Sequence, residues 1–312
     1  MTRVAAIDCG TNSIRLLIAD RAEGALVDVV RRMEIVRLGQ GVDRTGRLDP
    51  QALERTLAAT RDYAAECRTH GVQALRFVAT SATRDAENRE EFFAGVREAL
   101  GVEVEVITGE EEAALSFAGA VSILGAQDPA PNLVVDIGGG STELVLGERQ
   151  VDRAISLDIG SVRMTERHIR TDPPAPEQVA AARGDIGAAL DRAADELDLS
   201  RVRTLVGVAG SVTTLTALAL GLDAYRPEQI NGARLSLEHV RAAAQALLTM
   251  SRQERGALAF MHTGRVDVIG AGALIWAEVV DRVAQAVADG GGHLDEVITS
   301  EHDILDGIAL SV

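Results

Sequence analysis

A chain of 312 residues is long enough for two domains of ordinary size. Its net charge of −16 argues against a nucleic-acid coat, and no apolar run reaches the roughly 20 residues that a membrane span requires. Cys9 and Cys67 are too few for a disulfide framework or a cysteine metal site. The opening run lacks a signal-peptide form, so a cytoplasmic protein is expected. All 31 basic residues are Arg, which excludes a Walker A loop, since that loop needs a Lys.

Residues 4–19 read as strand, turn, strand, with Asp8-Cys9-Gly10-Thr11-Asn12-Ser13 at the turn. A third strand is expected over 26–38, followed by a loop through Gly39, Gly41 and Gly46. Asp49-Pro50 supplies an N-cap and a first-turn proline for a helix running to about His70. A buried-type strand at 74–79 leads into Thr80-Ser81-Ala82-Thr83-Arg84, then a helix over 86–100 and a strand over 102–107. Thr108-Gly109-Glu110-Glu111 fits a capping box, and the helix it opens carries Glu112 in its first turn. The segment 127–131, Gln-Asp-Pro-Ala-Pro, is the best linker candidate.

Beyond it lies Leu133-Val134-Val135-Asp136-Ile137-Gly138-Gly139-Gly140-Ser141-Thr142-Glu143-Leu144-Val145-Leu146. Alone, this stretch reads equally as a plain hairpin with a glycine tip or as an anion-binding nest of backbone N–H groups. A strand over 151–157, a helix over 160–169, a Pro-rich break and a long Ala-rich helix to about Leu197 follow. The strand 203–208 runs into Ala209-Gly210-Ser211, which should start a helix. The remainder reads as helical, apart from a strand near 295–299 and a closing helix over 303–310. Strands alternating with helices in both halves indicate an α/β fold.

Shifting the chain by 128 residues lays Asp8 on Asp136, Gly10 on Gly138, Ser13 on Ser141, Leu16 on Leu144 and Arg15 on Glu143. A repeat of this kind implies two similar domains, each with a strand–turn–strand loop. Two such hairpins would face one another across a cleft, with a cation on one wall and an acid on the other.

The two loops resemble the phosphate loops of the exopolyphosphatase/guanosine pentaphosphatase (Ppx/GppA) family. The likeness extends over essentially the whole chain. It implies two ribonuclease-H-like domains of the actin/Hsp70/sugar-kinase superfamily with an interdomain cleft, here 1–125 and 126–312, with the last helix (303–311) packing back on the first domain. By that resemblance Ala79-Thr80-Ser81-Ala82-Thr83-Arg84 ends in a substrate-contacting Arg84, and Glu110-Glu111-Glu112-Ala113 supplies the catalytic base as Glu112. Gly207-Val208-Ala209-Gly210-Ser211 resembles the later glycine-rich loop. Substrate would be held by Gly10, Thr11, Asn12, Ser13, Arg15, Arg84, Gly138, Gly139, Gly140, Ser141, Gly210 and Ser211. Asp8, Asp136 and Glu143 suit Mg²⁺ or another divalent cation, Glu143 also serving catalysis.

Each of these residues also has a plain structural reading. Glu112 would offset a helix dipole, Asp8 and Asp136 would end strands, Arg15 would be a solvated strand residue, and Ser211 would cap a helix. Gly270-Ala271-Gly272 lacks the third glycine of a dinucleotide fingerprint, and His302-Asp303 lacks further metal-spaced partners. The expected activity is release of terminal phosphate from inorganic polyphosphate, with short chains preferred because no C-terminal extension follows. Guanosine pentaphosphate is the alternative substrate, and an acceptor-dependent kinase or a non-catalytic nucleotide sensor are readings of other classes. A homodimer is expected by family resemblance, with no nucleic-acid polymer or membrane as partner.

Overall fold

The computed structural model describes residues 2–22 and 25–312. Met1, at the head of the opening strand-like run, lies outside the described residues. The chain forms two units, Met1–Gly119 with Ile304–Val312, and Ala120–Asp303.

In the first unit, β1 (Thr2–Cys9), β2 (Ser13–Ala22), β3 (Ala25–Ile35), β4 (Ala74–Ala79) and β5 (Val104–Val106) form one sheet in the order β3-β2-β1-β4-β5. The first three strands run antiparallel, while β4 and β5 run parallel to β1. Side chains alternate across each strand. Ile7, Ile14, Leu16 and Ile18 therefore meet Tyr63, Phe77 and Phe92 on one face. Ala6, Leu17, Ala19 and Val78 meet Ile304, Leu305 and Ile308 of the last helix, Ile304–Ser311, on the other.

The second unit repeats this plan. Its strands β6 (Asn132–Ile137), β7 (Thr142–Gly147), β8 (Val151–Leu157), β9 (Thr204–Val208), β10 (Arg234–Ser236) and β11 (Glu296–Thr299) are ordered β10-β11-β9-β6-β7-β8. Again three antiparallel strands open the sheet, and β9 and β11 follow in parallel. The shift of 128 residues thus lays β1 on β6 and β2 on β7. Trp276, on the helix Ile269–Asp289, is fully buried in this unit's core with Val279 and Val283.

Several boundaries differ from the sequence reading. The third strand ends at Ile35, because the N–H groups of Val36 and Arg37 turn back to the carbonyl of Asn12. A short helix, Val42–Thr45, occupies part of the glycine-marked loop between Gly41 and Gly46, both in the left-handed region. β10 is a three-residue strand inside a stretch that reads as helical; three residues are too few to show a period of two. Among the described residues, no helix is long and apolar enough to cross a membrane.

Candidate functional site

In both sheets the chemistry-bearing residues gather at the carboxyl ends of the parallel strands, where α/β folds place ligands. In the first unit, β1 ends at Asp8 and Cys9. Gly10 N–H closes the turn on Ser13 O at 3.0 Å. The carbonyls of this loop are engaged from behind: Thr11 O accepts from Gly39 N–H, and Asn12 O from Val36 and Arg37. Gly39 is needed for that approach, since a Cβ there would lie 2.3 Å from Thr11 Cγ2. The N–H groups of Thr11 and Asn12 have no acceptor among the described residues, and Asn12 Oδ1 is buried without a hydrogen bond. That is the form of an anion nest. Arg15, directly opposite Asp8 across β1 and β2, directs Nε and Nη2 to Asp8 Oδ2 at 2.9 and 2.6 Å.

Beside this loop, β4 ends at Ala79 and the chain turns through Thr80 into the helix Ser81–Asp85, which carries Arg84. Past β5, Thr108 and Glu111 exchange side-chain and backbone hydrogen bonds at 3.1 Å each, forming the capping box expected from sequence. The cap fixes the phase of the helix Gly109–Ala120, so that Glu110 and Glu111 are exposed while Glu112 turns inward with Ala113 and Ser116. Arg84 Nη1 donates to Glu112 Oε2 and to Ile107 O, both at 2.8 Å. Burial pushes the Glu112 carboxyl up to about 7; Arg84 and the Thr80 hydroxyl pull it down and Asp8 pushes it up, but loss of solvent dominates.

In the second unit, Gly138 N–H closes its turn on Ser141 O at 3.0 Å, matching the first loop atom for atom. Asp136 and Glu143 stand directly opposite one another across β6 and β7, where the first hairpin has Asp8 and Arg15. Both acids are buried, and Ser156 Oγ donates to Glu143 Oε1 at 2.7 Å. The loop carbonyls again point backwards, onto the start of the helix Ser161–His168. The N–H groups of Gly139, Gly140 and Ser141 have no acceptor among the described residues.

Beyond β9, Ala209 takes a positive φ of 66° and opens the helix Ala209–Ala219 through Gly210 and Ser211. Gly272 lies against Ser211, where a Cβ would come within 2.3 Å of its hydroxyl; this glycine serves close helix packing, not dinucleotide binding. Arg265 lies over Gly210, its Cζ 2.3 Å from the position of an added Cβ, and Nη1 reaches Thr214 Oγ1 at 3.4 Å. No motif in the sequence marks Arg265, which sits in a single 3-10 turn far along the chain.

The structure therefore groups Asp8, Gly10, Thr11, Asn12, Ser13, Arg15, Arg84 and Glu112 in the first unit. In the second it groups Asp136, Gly138, Gly139, Gly140, Ser141 and Glu143, with Gly210 and Ser211 at the end of the neighbouring strand. Among the described residues, no group of three or more His, Cys, Asp or Glu could hold a metal alone. The opposed Asp136 and Glu143 still fit a hard cation. Their donors are oxygens, like charges facing across a hairpin favour a counter-charge, and Mg²⁺ normally completes its shell with phosphate and water.

Two mixed sheets with the same strand plan and loop geometry define a two-domain protein of the actin/Hsp70/sugar-kinase fold class. Residues 17–296 match the family model of the Ppx/GppA phosphatase family. Exopolyphosphatase 2 of Mycobacterium tuberculosis strain H37Rv is 50% identical over 321 residues, covering 100% of this chain and 99% of that protein. Among solved structures, the Aquifex aeolicus PPX-GPPA enzyme is 32% identical with a TM-score of 0.80, covering 100% of this chain and 99% of that one. An exopolyphosphatase from Cytophaga hutchinsonii is 25% identical with a TM-score of 0.88, covering 98% and 96%. The chain belongs to the Ppx/GppA phosphatase family.

Proposed function

We propose that this protein is an exopolyphosphatase, releasing terminal orthophosphate from inorganic polyphosphate by base-assisted attack of water. The observation that carries the reading is Glu112, a buried carboxyl pushed to about 7 whose Oε2 is held by Arg84, beside a loop with free N–H groups. A base tuned near neutrality both exists in its ionised form and takes a proton readily. The two loops would hold phosphate oxygens through the N–H groups of Thr11, Asn12, Gly139, Gly140 and Ser141. Arg84 would add a charge-assisted contact, and Arg265 a second cation beside Gly210.

In the step itself, water oxygen bonds to the terminal phosphorus as the bridging P–O bond breaks. Glu112 takes the water proton, and the shortened chain leaves with the bond electrons on its new terminal oxygen. Asp136 and Glu143 would hold Mg²⁺, with Asp8 as the acid of the first loop; when bound, the ion offsets charge on the phosphate oxygens. Arg15 holds Asp8 Oδ2 through Nε and Nη2 and would stand beside the first loop as a further cation for phosphate.

The test is phosphate release from short polyphosphate, long polyphosphate, guanosine pentaphosphate and ATP, without any acceptor. Release from polyphosphate, fastest on short chains, is the expected result. Preference for guanosine pentaphosphate would transfer the same mechanism to a nucleotide substrate. A requirement for an acceptor hydroxyl, or tight binding without release, would overturn hydrolysis altogether. Chelation of divalent cations should abolish turnover, and added Mg²⁺ should restore it.

The pH dependence follows from the raised carboxyl. Glu112 must be ionised to accept a proton, so kcat/KM should fall as pH drops through about 7. Arg84→Gln removes the nearest group that favours the ionised form, so the acid limb should move to higher pH. A limb that stays put in Arg84→Gln would separate Arg84 from the base.

A further inference from the structure

Three peptide units make up the tip of the second loop, and each joins one carbonyl to the next residue's N–H on the opposite side. Whatever holds a carbonyl inward therefore holds the following N–H outward, toward a bound anion. Gly138 O accepts from Ser161 N–H at 3.0 Å, which presents the N–H of Gly139. Gly139 O accepts from Val162 and Arg163 N–H at 2.9 and 3.1 Å, which presents the N–H of Gly140. The third unit differs. Gly140 O accepts only from a side chain among the described residues, Arg163 Nε at 2.6 Å, and this bond presents the N–H of Ser141.

Glycine turns cheaply, so a Gly140–Ser141 peptide without its anchor is free to flip. The flip would aim a carbonyl dipole at the phosphate and withdraw an N–H from it. Arg163 is well placed to prevent this: its side chain is 11% exposed, and its Nη2 lies a loose 3.9 Å from the exposed Asp158, so the short Nε–H bond to Gly140 O does not depend on that ion pair. We propose that Arg163 is the positioning residue of the second phosphate loop, acting through its Nε–H on the Gly140–Ser141 peptide without touching phosphate. The inference rests on the reading of this loop as a phosphate site.

The side-chain geometry supplies its own controls. Gln places an N–H donor where Arg has Nε, without the charge. Met places a methyl group there, and Lys a methylene group with the charge beyond it. Loss of a group that orients a metal ligand typically costs about 10–100-fold, and a similar scale is expected for a group that orients a phosphate-binding peptide. Arg163→Met and Arg163→Lys should therefore weaken binding of inorganic phosphate by about that factor in calorimetric titration. KM for polyphosphate should rise in parallel and kcat change less. Arg163→Gln should stay close to the wild type.

Wild-type affinity in Arg163→Lys, or a loss in Arg163→Gln as large as that in Arg163→Met, would overturn the proposal. So would a fall in melting temperature with unchanged phosphate affinity, which marks a purely structural residue. If Arg163→Met does not fold, Arg163→Lys decides. A wild type that binds phosphate yet releases none from polyphosphate counts against the proposed function and leaves this comparison intact.

Discussion

Glu112→Gln should lower kcat for phosphate release by about 10²–10⁴-fold, the usual contribution of a positioned general base, while KM changes little. Gln keeps an oxygen for Arg84 Nη1 and nearly the same volume, so the loops and the salt-bridge geometry should persist. Only the proton acceptor is lost. The folded-state carboxyl is raised from 4.5 to about 7, so the folded form holds the proton more tightly than the unfolded form. Ionising it costs stability as pH rises between those values, and the full cost applies above about 7. Glu112→Gln removes that cost, so at pH 8 its melting temperature should equal or exceed the wild type's. Near-normal turnover in a folded Glu112→Gln would sink the assignment of the base. A collapse in melting temperature would show that the loss of activity is not chemical.

The parts of this site that the sequence carries are those built from neighbours in the chain. The repeat of Asp, Gly and Ser at a spacing of 128 is visible because a hairpin loop is a local object. It predicts equivalent strands, and both sheets run three antiparallel strands and then two parallel ones, the second adding β10 as an antiparallel edge. Thr108 and Glu111 show the start of the Glu112 helix for the same reason, since a capping box spans one turn. What holds the loops in shape is not local. Gly39 meets Thr11, Gly160 meets Gly139, and Arg265 meets Gly210, each pair brought together only by folding. None of these partners sits in a periodic pattern or a recognisable motif. Arg15 shows the same limit in another way. Its alignment with Glu143 in the repeat suggests a phosphate cation, and only the strand register shows it to be also the cross-strand partner of Asp8.

Gly160→Ala should be the most damaging small substitution in the second unit. Gly160 precedes the helix Ser161–His168 with φ −136° and ψ 163°, a conformation that Ala adopts readily, so the backbone itself sets no barrier. The obstacle is the phosphate loop. An added Cβ would lie 2.4 Å from Gly139 O, 2.5 Å from Gly139 C and 2.6 Å from Gly140 C. These are backbone atoms, so relief requires the loop to move as a body and to release the bonds that hold its carbonyls inward. Overpacking of this kind costs about 1–3 kcal/mol of stability. A displacement near 1 Å in a group that positions substrate costs about 10²-fold in rate, and that is the loss expected in phosphate release. Gly184→Ala gives the contrasting case. It lies within the helix Pro176–Glu196, and nothing stands within 4 Å of its added Cβ. There the methyl group should raise stability by about 0.5–1 kcal/mol through helix propensity, with turnover unchanged. Measured side by side, the two variants separate the cost of moving the loop from the effect of replacing a glycine. Wild-type turnover in Gly160→Ala would mean that the loop tolerates displacement and that its geometry does not govern the reaction.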